Sequence, residues 1–377
     1  MASNRRARTS ASSHLRILHV TQPVEAGTAN VVKTLAAFDL QHGHEVSVGC
    51  PSSSLSQWTE GLGGKTVELP ISRSISLGDV KAIRRFRRAL EHADVVVLHS
   101  SKAGALGRLI ALTLRRARRP VLLFYPHGWS WLLPGRASRF YKVIENLLAP
   151  VADKIVAVSD AEAHLGRQVL TERGAERILT LHNGVDTEAF SPEGEVAPRS
   201  EMTTIVCVGR LCQQKGQDLL IAAIHEDLLQ DVRLVLVGEG PDKEALHHQA
   251  RRLGVAGRVD FLGFADPRPY YRSADVVVLP SRWEGFSLVT LEAMACGANV
   301  AASVPAAADL TDDNGISLLH DLTPLGLAEE LVRLLDDEVR SRKNRSIARA
   351  HVVDQWSWKL LLPRYGALIT ELVAQKP

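Results

Sequence analysis

Short apolar runs alternate along the chain with longer segments in which apolar positions recur at helical spacing. This order favours strand–helix–strand units, which build a parallel sheet with helices on its faces. In the first half, the predicted strands are 14–21, 45–50, 67–69, 94–98, 121–125, 154–158 and 178–181. The predicted helices of this half are 28–41, 79–93, 103–117, 138–151 and 160–173.

The second half repeats the scheme. Its predicted strands are 203–208, 232–237, 259–262, 276–279, 299–302 and 315–319, and its predicted helices are 216–224, 242–253, 288–296, 325–335 and 357–373. Between the halves, residues 191–201 (SPEGEVAPRSE) are rich in Pro, Gly and charge, as linkers are. We therefore predict an α/β protein with two doubly wound, Rossmann-like domains, 14–190 and 203–356, which face each other across a cleft and are joined by a linker at 191–202.

Composition narrows the function classes. A chain of 377 residues with 45% hydrophobic and 23% charged residues is an ordinary globular protein of about two domains. Its net charge of +3 is too small to indicate a nucleic-acid partner. The four cysteines lack zinc-type spacing, so we expect buried thiols in a reducing compartment. No apolar run reaches the length of a membrane span.

The first 13 residues are small, polar and basic. They lack the apolar core of a secretory signal, and we expect a disordered basic tail. Two further basic stretches, 81–88 and 115–119, are typical of solvated helix faces. An anionic membrane surface or a phosphate-bearing acceptor is the alternative partner for them.

Two cations lie in a predicted loop between a strand and a helix, a place where phosphate groups bind. Arg210 follows a predicted strand, and Lys215 precedes a predicted helix. Cations beside a helix N-terminus suit a diphosphate, although a solvated loop explains the same residues. Gly238 follows the next strand, where glycine permits close approach of a ligand or simply forms a tight turn.

Two carboxylates lie within residues 280–298, which read PSRWEGFSLVTLEAMACGA. Glu292 falls in an apolar helix, where a buried carboxylate requires hydrogen-bond donors. The hydroxyls of a ribose would supply them, and so would a salt bridge to a neighbouring domain. Glu284 lies at the strand exit, where it either accepts hydrogen bonds from sugar hydroxyls or caps the turn.

Loops at the carboxyl ends of three first-half strands should share one rim of a parallel sheet: the loop of Gly27, residues 99–102 and the loop of His127. His127 is a candidate general base, a ligand for a sugar hydroxyl, or a histidine packed beside Trp129 and Trp131. The absence of a G-x-G-x-x-G motif argues against a dinucleotide-binding dehydrogenase. The absence of Asp-x-Asp argues against a metal held by that motif, so no metal site is predicted.

Taken together, these segments resemble the GT-B glycosyltransferases of the large retaining family four, of the bacterial exopolysaccharide or natural-product type. The resemblance covers residues 15–377 and rests on motifs in a fixed order. They are HGHEV (42–46), HSSKAG (99–104), PHGW (126–129), VSDAE (158–162), HNGVD (182–186), GRLCQQKG (209–216), VGEGP (237–241), FLGF (261–264) and the paired-glutamate stretch.

The resemblance implies a role for each candidate residue. It implies that Arg210 and Lys215 hold the diphosphate of a nucleotide sugar and that Glu292 binds its ribose. It implies that Glu284 and His127 contact the donor sugar. The remaining implied donor contacts are the loops of Gly27 and Gly238 and the backbone N–H groups of Phe286, Ser287 and Leu288. The final helix, within 357–377, is implied to cross back to the first domain.

Three positions depart from the family pattern. The first loop keeps a single glycine, Gly27, where two adjacent glycines are usual. Ser287 replaces the second glycine of an E-G-F-G turn. The loop 304–309 lacks a Gly-Gly-x-x-Glu run, so the resemblance assigns no role there.

The resulting hypothesis is a metal-independent retaining glycosyltransferase without a cofactor. The predicted donor is a UDP-hexose or UDP-N-acetylhexosamine, and the predicted acceptor is a hydroxyl of a glycan, a lipid-linked compound or a natural product. We expect the protein in the cytoplasm, with peripheral contact to the inner membrane face through the basic N-terminal domain. A sugar-nucleotide epimerase and a non-catalytic nucleotide-sugar-binding subunit are the alternatives, since fold alone does not decide among them.

Overall fold

A computed structural model describes residues 14–71, 79–132, 135 and 137–376, with Ala26 and residues 79–82 described by backbone alone. The tail 1–13, for which the sequence predicts disorder, lies outside these ranges. The strands of the first sheet are β1 (Arg16–Thr21), β2 (Glu45–Cys50), β3 (Lys65–Glu68), β4 (Val95–His99), β5 (Val121–Tyr125), β6 (Lys154–Ala157) and β7 (Ile178–Thr180). Those of the second sheet are β8 (Thr203–Val208), β9 (Val232–Val237), β10 (Val259–Gly263), β11 (Val276–Leu279), β12 (Val300–Ser303) and β13 (Ile316–Leu319).

Helices separate most of the strands. Before β8 they are α1 (Ala26–Gln41), α2 (Ser54–Gly61), α3 (Asp79–His92), α4 (Ser101–Leu112), α5 (Ala137–Leu148), α6 (Asp160–Val169) and α7 (Glu172–Ala175). After β8 they are α8 (Gln217–Ala223), α9 (Lys243–Arg252), α10 (Arg268–Ser273), α11 (Leu288–Ala295), α12 (Val304–Ala307), α13 (Pro324–Asp336), α14 (Glu338–Gln355) and α15 (Trp358–Ala374).

Strand order defines where a ligand is expected. The first sheet runs β3-β2-β1-β4-β5-β6-β7, and the second runs β10-β9-β8-β11-β12-β13. Neighbours such as β1 and β4, or β8 and β11, run parallel, as the sequence predicted. In both sheets the order reverses beside the first strand, and ligands of open α/β sheets bind at the carboxyl ends of strands at this point. The fold is therefore two Rossmann-like parallel sheets, which confirms the predicted class.

Contacts between Cα atoms divide the chain into two compact units. The first consists of the described parts of Met1–Phe124, Val151–Asp153 and Ile369–Pro377, and the second of Tyr125–Pro150 and Lys154–Leu368. The end of α15 thus belongs to the first unit, where Lys376 lies 3.6 Å from Asp153. The predicted boundary at 191–202 remains a prediction.

The first unit is built around strands that are buried on both faces. Residues of β4 are fully buried, as parallel strands covered by helices on both sides are. Helix α4 packs closely on this core because Gly104 and Gly107 carry no side chain. A Cβ at Gly104 would lie 2.2 Å from a ring carbon of Phe124, and one at Gly107 would lie 2.4 Å from Leu98. The glycine of the HSSKAG motif is therefore required by packing.

A polar network also lies inside this unit. His19 Nε2 is 2.9 Å from Asp39 Oδ2, and His19 Nδ1 is 3.2 Å from His99 Nε2. All three residues are buried, so these hydrogen bonds satisfy polar atoms that water does not reach. The network fixes the end of β4 next to β1.

Several helices differ from the sequence prediction, and among them the short helices α2, α10 and α12 were not predicted. Helix α4 ends at Leu112, five residues early, because the closely spaced arginines 115–119 form a separate short turn ahead of Pro120. The predicted helix 160–173 divides into α6 and α7 at Leu170. Helix α14 was not predicted, because its buried side is a narrow stripe of Asn344, Ala348 and Val352 rather than a broad apolar face.

Two other features complete the fold. Within the described ranges, none of the helices combines the length and apolar character that crossing a bilayer requires. All four cysteines are free thiols, of which Cys50, Cys207 and Cys296 are buried.

Replacing Gly104 by Ala tests the packing of α4. The added Cβ overlaps the ring of Phe124, and overpacking of this kind lowers the free energy of unfolding by about 1–3 kcal/mol. Urea unfolding measures the change. Gly61→Ala is the matched control, since a Cβ there meets nothing within 4 Å. Equal stability of the two variants would contradict the close-packing interpretation.

Candidate active site

The loops that follow β8 and β11 are held together in the second unit. Gly216 has a φ of 72°, and a Cβ there would lie 2.2 Å from the carbonyl oxygen of Pro280. The backbone N–H of Arg282 donates to Gln214 O at 2.8 Å. The guanidinium of Arg282 pairs with Asp218 through contacts of 2.8 and 2.6 Å. The two loops therefore form one rigid structure at the switch point of the sheet.

Lys215 and Glu284 form an ion pair within this structure. Lys215 Nζ contacts Glu284 Oε1, which also accepts a hydrogen bond from Ser281 Oγ at 3.0 Å. Gln214 Nε2 donates to the other carboxylate oxygen at 3.3 Å. The side chains of Lys215 and Glu284 are 18% and 9% exposed. Burial opposes the charged form of Lys215, but Glu284 more than offsets it and raises the Lys215 pKa.

Glu292 lies on α11, and its carboxylate interacts electrostatically with the Lys215 ammonium group of the ion pair. Tyr271, which is fully buried, donates its hydroxyl to Glu292 Oε2 at 3.0 Å. Burial raises the pKa of Glu292 to about 7, although the Tyr271 hydroxyl and the Lys215 charge act in the opposite direction. Asp266 adds to the increase. Glu292 therefore changes its charge near neutral pH and has a partner, Tyr271, that sequence reasoning did not identify.

The start of α11 presents backbone donors beside Glu284. Ser287 precedes the helix and Leu288 is its first residue, and the first N–H groups of a helix have no partner within it. Ser287 is buried, and its hydroxyl finds no hydrogen-bond partner among the described residues. Phe286 stacks on Trp356 with 4.9 Å between ring centroids, which fixes the turn. This arrangement suits a ligand with several polar atoms.

Gly238 is needed for contact between two loops. A Cβ at Gly238 would lie 2.1 Å from the carbonyl oxygen of Gly209, and its φ is 145°. The N–H of Leu211 donates to Glu239 O at 3.0 Å and ties the same loops together. Packing thus explains this glycine, and its contact with a ligand remains a prediction. Arg210, in the loop after β8, is exposed.

His127 is brought to the glutamate turn by a backbone contact. A Cβ at Gly285 would lie 2.5 Å from the nitrogen of Gly128, so the two glycines touch backbone to backbone. Ser159 Oγ donates to Gly285 O at 2.9 Å. His127 has a φ of 52°, and its ring stacks on Tyr125. Burial lowers the pKa of His127 to about 4, so its imidazole is neutral at pH 7.

Glu162, from the VSDAE segment, holds the His127 loop in place. Its carboxylate accepts hydrogen bonds from the N–H of Gly128 at 2.6 Å and of Val158 at 2.8 Å. Trp129 Nε1 donates to the Glu162 carbonyl at 2.8 Å. Burial raises the pKa of Glu162 to about 7, above the value in an unfolded chain. Stability from its protonated form is therefore lost as the pH rises from about 4.5 to 7.

Asp309, which follows α12, contributes an unpredicted carboxylate. Asp309 accepts hydrogen bonds from the N–H groups of Asp160 and Ala161 at 2.6 and 2.8 Å and faces His182 Nε2 at 3.1 Å. Burial opposes ionisation, but these donors lower the pKa of Asp309. Asp160, His182 and Asp309 form a cluster with the spacing of metal ligands. Its hydrogen bonds identify Asp309 as a cap on α6, and the predicted absence of a metal remains a prediction.

The predicted site residues thus fall into two sets. The structure brings Lys215, Glu284, Glu292, the 286–288 turn and the His127 loop into one hydrogen-bonded and electrostatic neighbourhood of the second unit. Gly27 lies in the first turn of α1, in the first unit, and is exposed. Its predicted phosphate contact stays a prediction. Tyr271, Ser159 and Asp309 were missed because their partners lie 21, 126 and 149 residues away in the sequence. Glu162 was noted only as part of the VSDAE motif, without a role.

Two parallel Rossmann-like sheets with a cation, two carboxylates and a helix start at the strand ends define the class of GT-B glycosyltransferases. A model of group 1 glycosyl transferases matches residues 202–337, and one of glycosyl transferase 4-like domains matches residues 24–184. The chain therefore belongs to the family-four glycosyltransferases and is an enzyme of that class.

Curated relatives cover most of the chain. A GDP-mannose-dependent monoacylated α-(1-6)-phosphatidylinositol monomannoside mannosyltransferase of Corynebacterium glutamicum is 32% identical over 71% of this chain and 74% of its own length. D-inositol 3-phosphate glycosyltransferase 1 of Catenulispora acidiphila is 31% identical over 74% and 73%. A GDP-mannose-dependent α-(1-6)-phosphatidylinositol monomannoside mannosyltransferase of Mycolicibacterium smegmatis is 28% identical over 95% and 98%.

Solved structures share the fold at low identity. Sucrose-phosphate synthase of Thermosynechococcus elongatus superposes with a TM-score of 0.81 at 19% identity, over 96% of this chain and 100% of the other. Anabaena HepE, in complex with UDP and glucose, superposes with a TM-score of 0.80 at 22% identity, over 95% and 100%.

Replacing Glu284 by Gln tests the ion pair. The change removes the negative charge that neutralises Lys215, so the cation becomes available to a diphosphate. We expect nucleoside diphosphate affinity to stay equal or rise severalfold, while sugar transfer falls on the order of a hundredfold. Calorimetric titration and turnover measure the two quantities, with Glu338→Gln as control because Glu338 forms an exposed ion pair with Arg342 on α14, outside the site. Loss of nucleoside diphosphate affinity would contradict the competition between Glu284 and phosphate.

The pH dependence of donor affinity tests Glu292. If Glu292 binds the ribose as predicted, only its ionised form would accept hydrogen bonds from both ribose hydroxyls, and affinity for a nucleotide sugar should fall on the order of tenfold from pH 8 to pH 6. A nucleotide sugar is chosen because its diphosphate does not titrate in this range. Glu292→Gln should bind weakly at both pH values. Glu162→Gln should keep the wild-type pH dependence; a flat profile in that variant would assign the titration to Glu162 instead.

Proposed function

We propose that this protein transfers a hexose, with retention of anomeric configuration, from a nucleotide sugar to a hydroxyl of a lipid-linked or glycan acceptor. The observation that carries the proposal is the ion pair between Lys215 and Glu284, in the loops that precede α8 and α11. Glu292, on α11, interacts electrostatically with Lys215. A diphosphate sugar is complementary to this arrangement, because it offers an anion for Lys215 and hydroxyl groups for both carboxylates.

In the proposed binding step, the diphosphate replaces Glu284 as the ion-pair partner of Lys215. Arg210, exposed in the loop after β8, supplies a second cation. Glu284 then accepts hydrogen bonds from the donor sugar, helped by the N–H groups of Phe286, Ser287 and Leu288. Glu292 binds the ribose, and Tyr271 orients its carboxylate. His127, held by Glu162 through Gly128, faces the sugar as a neutral imidazole.

In the proposed chemical step, the bond between the anomeric carbon and the phosphate oxygen breaks, and its electron pair stays on the leaving diphosphate. Lys215, Arg210 and the N–H groups at the start of α11 stabilise the developing charge. The acceptor hydroxyl attacks from the same face, and its proton passes to a leaving phosphate oxygen. Glu284 is a poor candidate for a covalent nucleophile in this step, because Gln214 and Ser281 still donate to its two oxygens after Lys215 has moved to the diphosphate.

The donor is narrowed to two chemical classes. The sequence resemblance favours a UDP-hexose or UDP-N-acetylhexosamine. The names of the mannosyltransferase relatives favour GDP-mannose, and their acceptors favour a phosphatidylinositol-type lipid here. A thermal-shift panel of UDP, GDP and their sugar conjugates separates these classes, since a ligand that binds the native state raises the melting temperature by mass action. Product analysis without acceptor then separates transfer from epimerisation.

Replacing Arg210 or Lys215 by Ala tests the proposed charge stabilisation. Each change removes a cation from the leaving group, and we expect turnover to fall on the order of 10²–10³-fold. Arg342→Ala is the control, because Arg342 is an exposed cation on α14 that pairs with Glu338. Melting temperatures measured in parallel identify any loss that comes from unpaired Glu284. Turnover like that of the wild type in both variants would refute the assignment.

A further inference from the structure

Helix α5 displays an apolar stripe to solvent. Its side chains Phe140, Val143 and Leu147 are 64%, 57% and 72% exposed. Positions three and seven residues apart lie on one face of a helix, so these three form a continuous line. Isolated apolar residues on a surface are ordinary, but an ordered stripe marks an interaction site.

The stripe is not needed to hold α5 in place. The other face of the helix carries the buried residues Glu145 and Leu148. Asn146 anchors its last turn, donating to Val169 O at 3.0 Å and accepting from the N–H of Thr171 at 2.6 Å. Substitutions in the stripe should therefore leave the fold intact.

Cations border the stripe. Arg139 and Lys142 lie beside Phe140 and Val143 on the helix and are exposed. Among the twelve residues of α5, the single carboxylate is Glu145, which is buried. An exposed apolar line with cations at its edge and no exposed anion is complementary to a membrane surface, where acyl chains receive the apolar residues and anionic headgroups receive the cations.

A chain of contacts joins α5 to the candidate site. Ser138 Oγ donates to Trp131 O at 2.7 Å, and the Trp131 ring stacks on Trp129 with 4.3 Å between centroids. Trp129 in turn donates to Glu162, which holds Gly128. A surface bound at α5 is thus connected by direct contacts to the loop of His127.

We propose that α5 is a membrane-docking helix, which inserts Phe140, Val143 and Leu147 into a lipid surface and pairs Arg139 and Lys142 with anionic headgroups. This surface is distinct from the basic stretches 81–88 and 115–119, because it combines apolar and cationic side chains on one helix. The inference does not depend on the identity of the donor, and it fits the lipid-linked acceptor of the proposed function.

Vesicle co-sedimentation without donor or acceptor tests the proposal. The full-length protein is mixed with phosphatidylcholine vesicles, with or without phosphatidylglycerol. We expect binding that is strengthened by phosphatidylglycerol and weakened by salt. The combined change Phe140→Ser, Val143→Ser and Leu147→Ser should weaken binding on the order of tenfold or more. Arg139→Glu with Lys142→Glu should abolish the preference for phosphatidylglycerol.

Matched controls separate docking from general effects. Leu62→Ser, Val196→Ser and Val339→Ser together remove three exposed apolar side chains elsewhere and should leave vesicle binding unchanged. Unchanged melting temperature and nucleoside diphosphate binding in the stripe variant show that the fold and the donor site persist. Since vesicle binding is measured without turnover, a failure of the proposed reaction would not affect this result.

Two outcomes would overturn the proposal. The first is wild-type vesicle binding in the stripe variant. The second is a change of oligomeric state in that variant, measured by sedimentation velocity, with vesicle binding unchanged; the stripe would then join two copies of this chain.

Discussion

The ion pair between Lys215 and Glu284 is the interaction on which the candidate site depends. Removing two charges from water is costly, and a pair of this kind adds little stability over apolar residues of the same size. Under the proposed function, the pair would act through the ligand it favours. A ligand that replaces only one partner would leave the other charge unpaired in a partly buried position, whereas a sugar joined to a diphosphate would satisfy both.

The surrounding loops keep this pair in position through backbone contacts that only glycine allows. Gly216 lies against Pro280, Gly238 against Gly209, and Gly285 against Gly128. The first two contacts join loops that follow neighbouring strands of the second sheet, and the third joins the loop after β11 to the loop after β5. The rigidity of the site comes from these close approaches as much as from side-chain hydrogen bonds, because a Cβ at any of them forces the loops apart.

The apolar runs of the sequence predicted the strands well, because parallel strands buried on both faces are continuous apolar segments. The sequence pattern did not predict helix α14, because the buried side of this helix is small and partly polar. The site residues that the resemblance supplied lie in local motifs. Their partners lie far from them in the chain: Gln214 and Lys215 are about 70 residues from Glu284 in the sequence, and Asp309 is 127 residues from His182. Such pairings arise from strand order, which the local pattern does not contain.

The contact between Gly285 and Gly128 also has a meaning for protein engineering. A Cβ at Gly285 would lie 2.5 Å from the backbone nitrogen of Gly128, and Gly128 itself has a φ of 95°, so a side chain at either position would strain the junction between the turn at Glu284 and the loop of His127. A design that seeks to alter donor choice therefore leaves this junction unchanged and starts from Ser287, which directly precedes α11 and whose buried hydroxyl has no hydrogen-bond partner among the described residues. The junction is then the fixed scaffold of the design, and Ser287 is its first variable position.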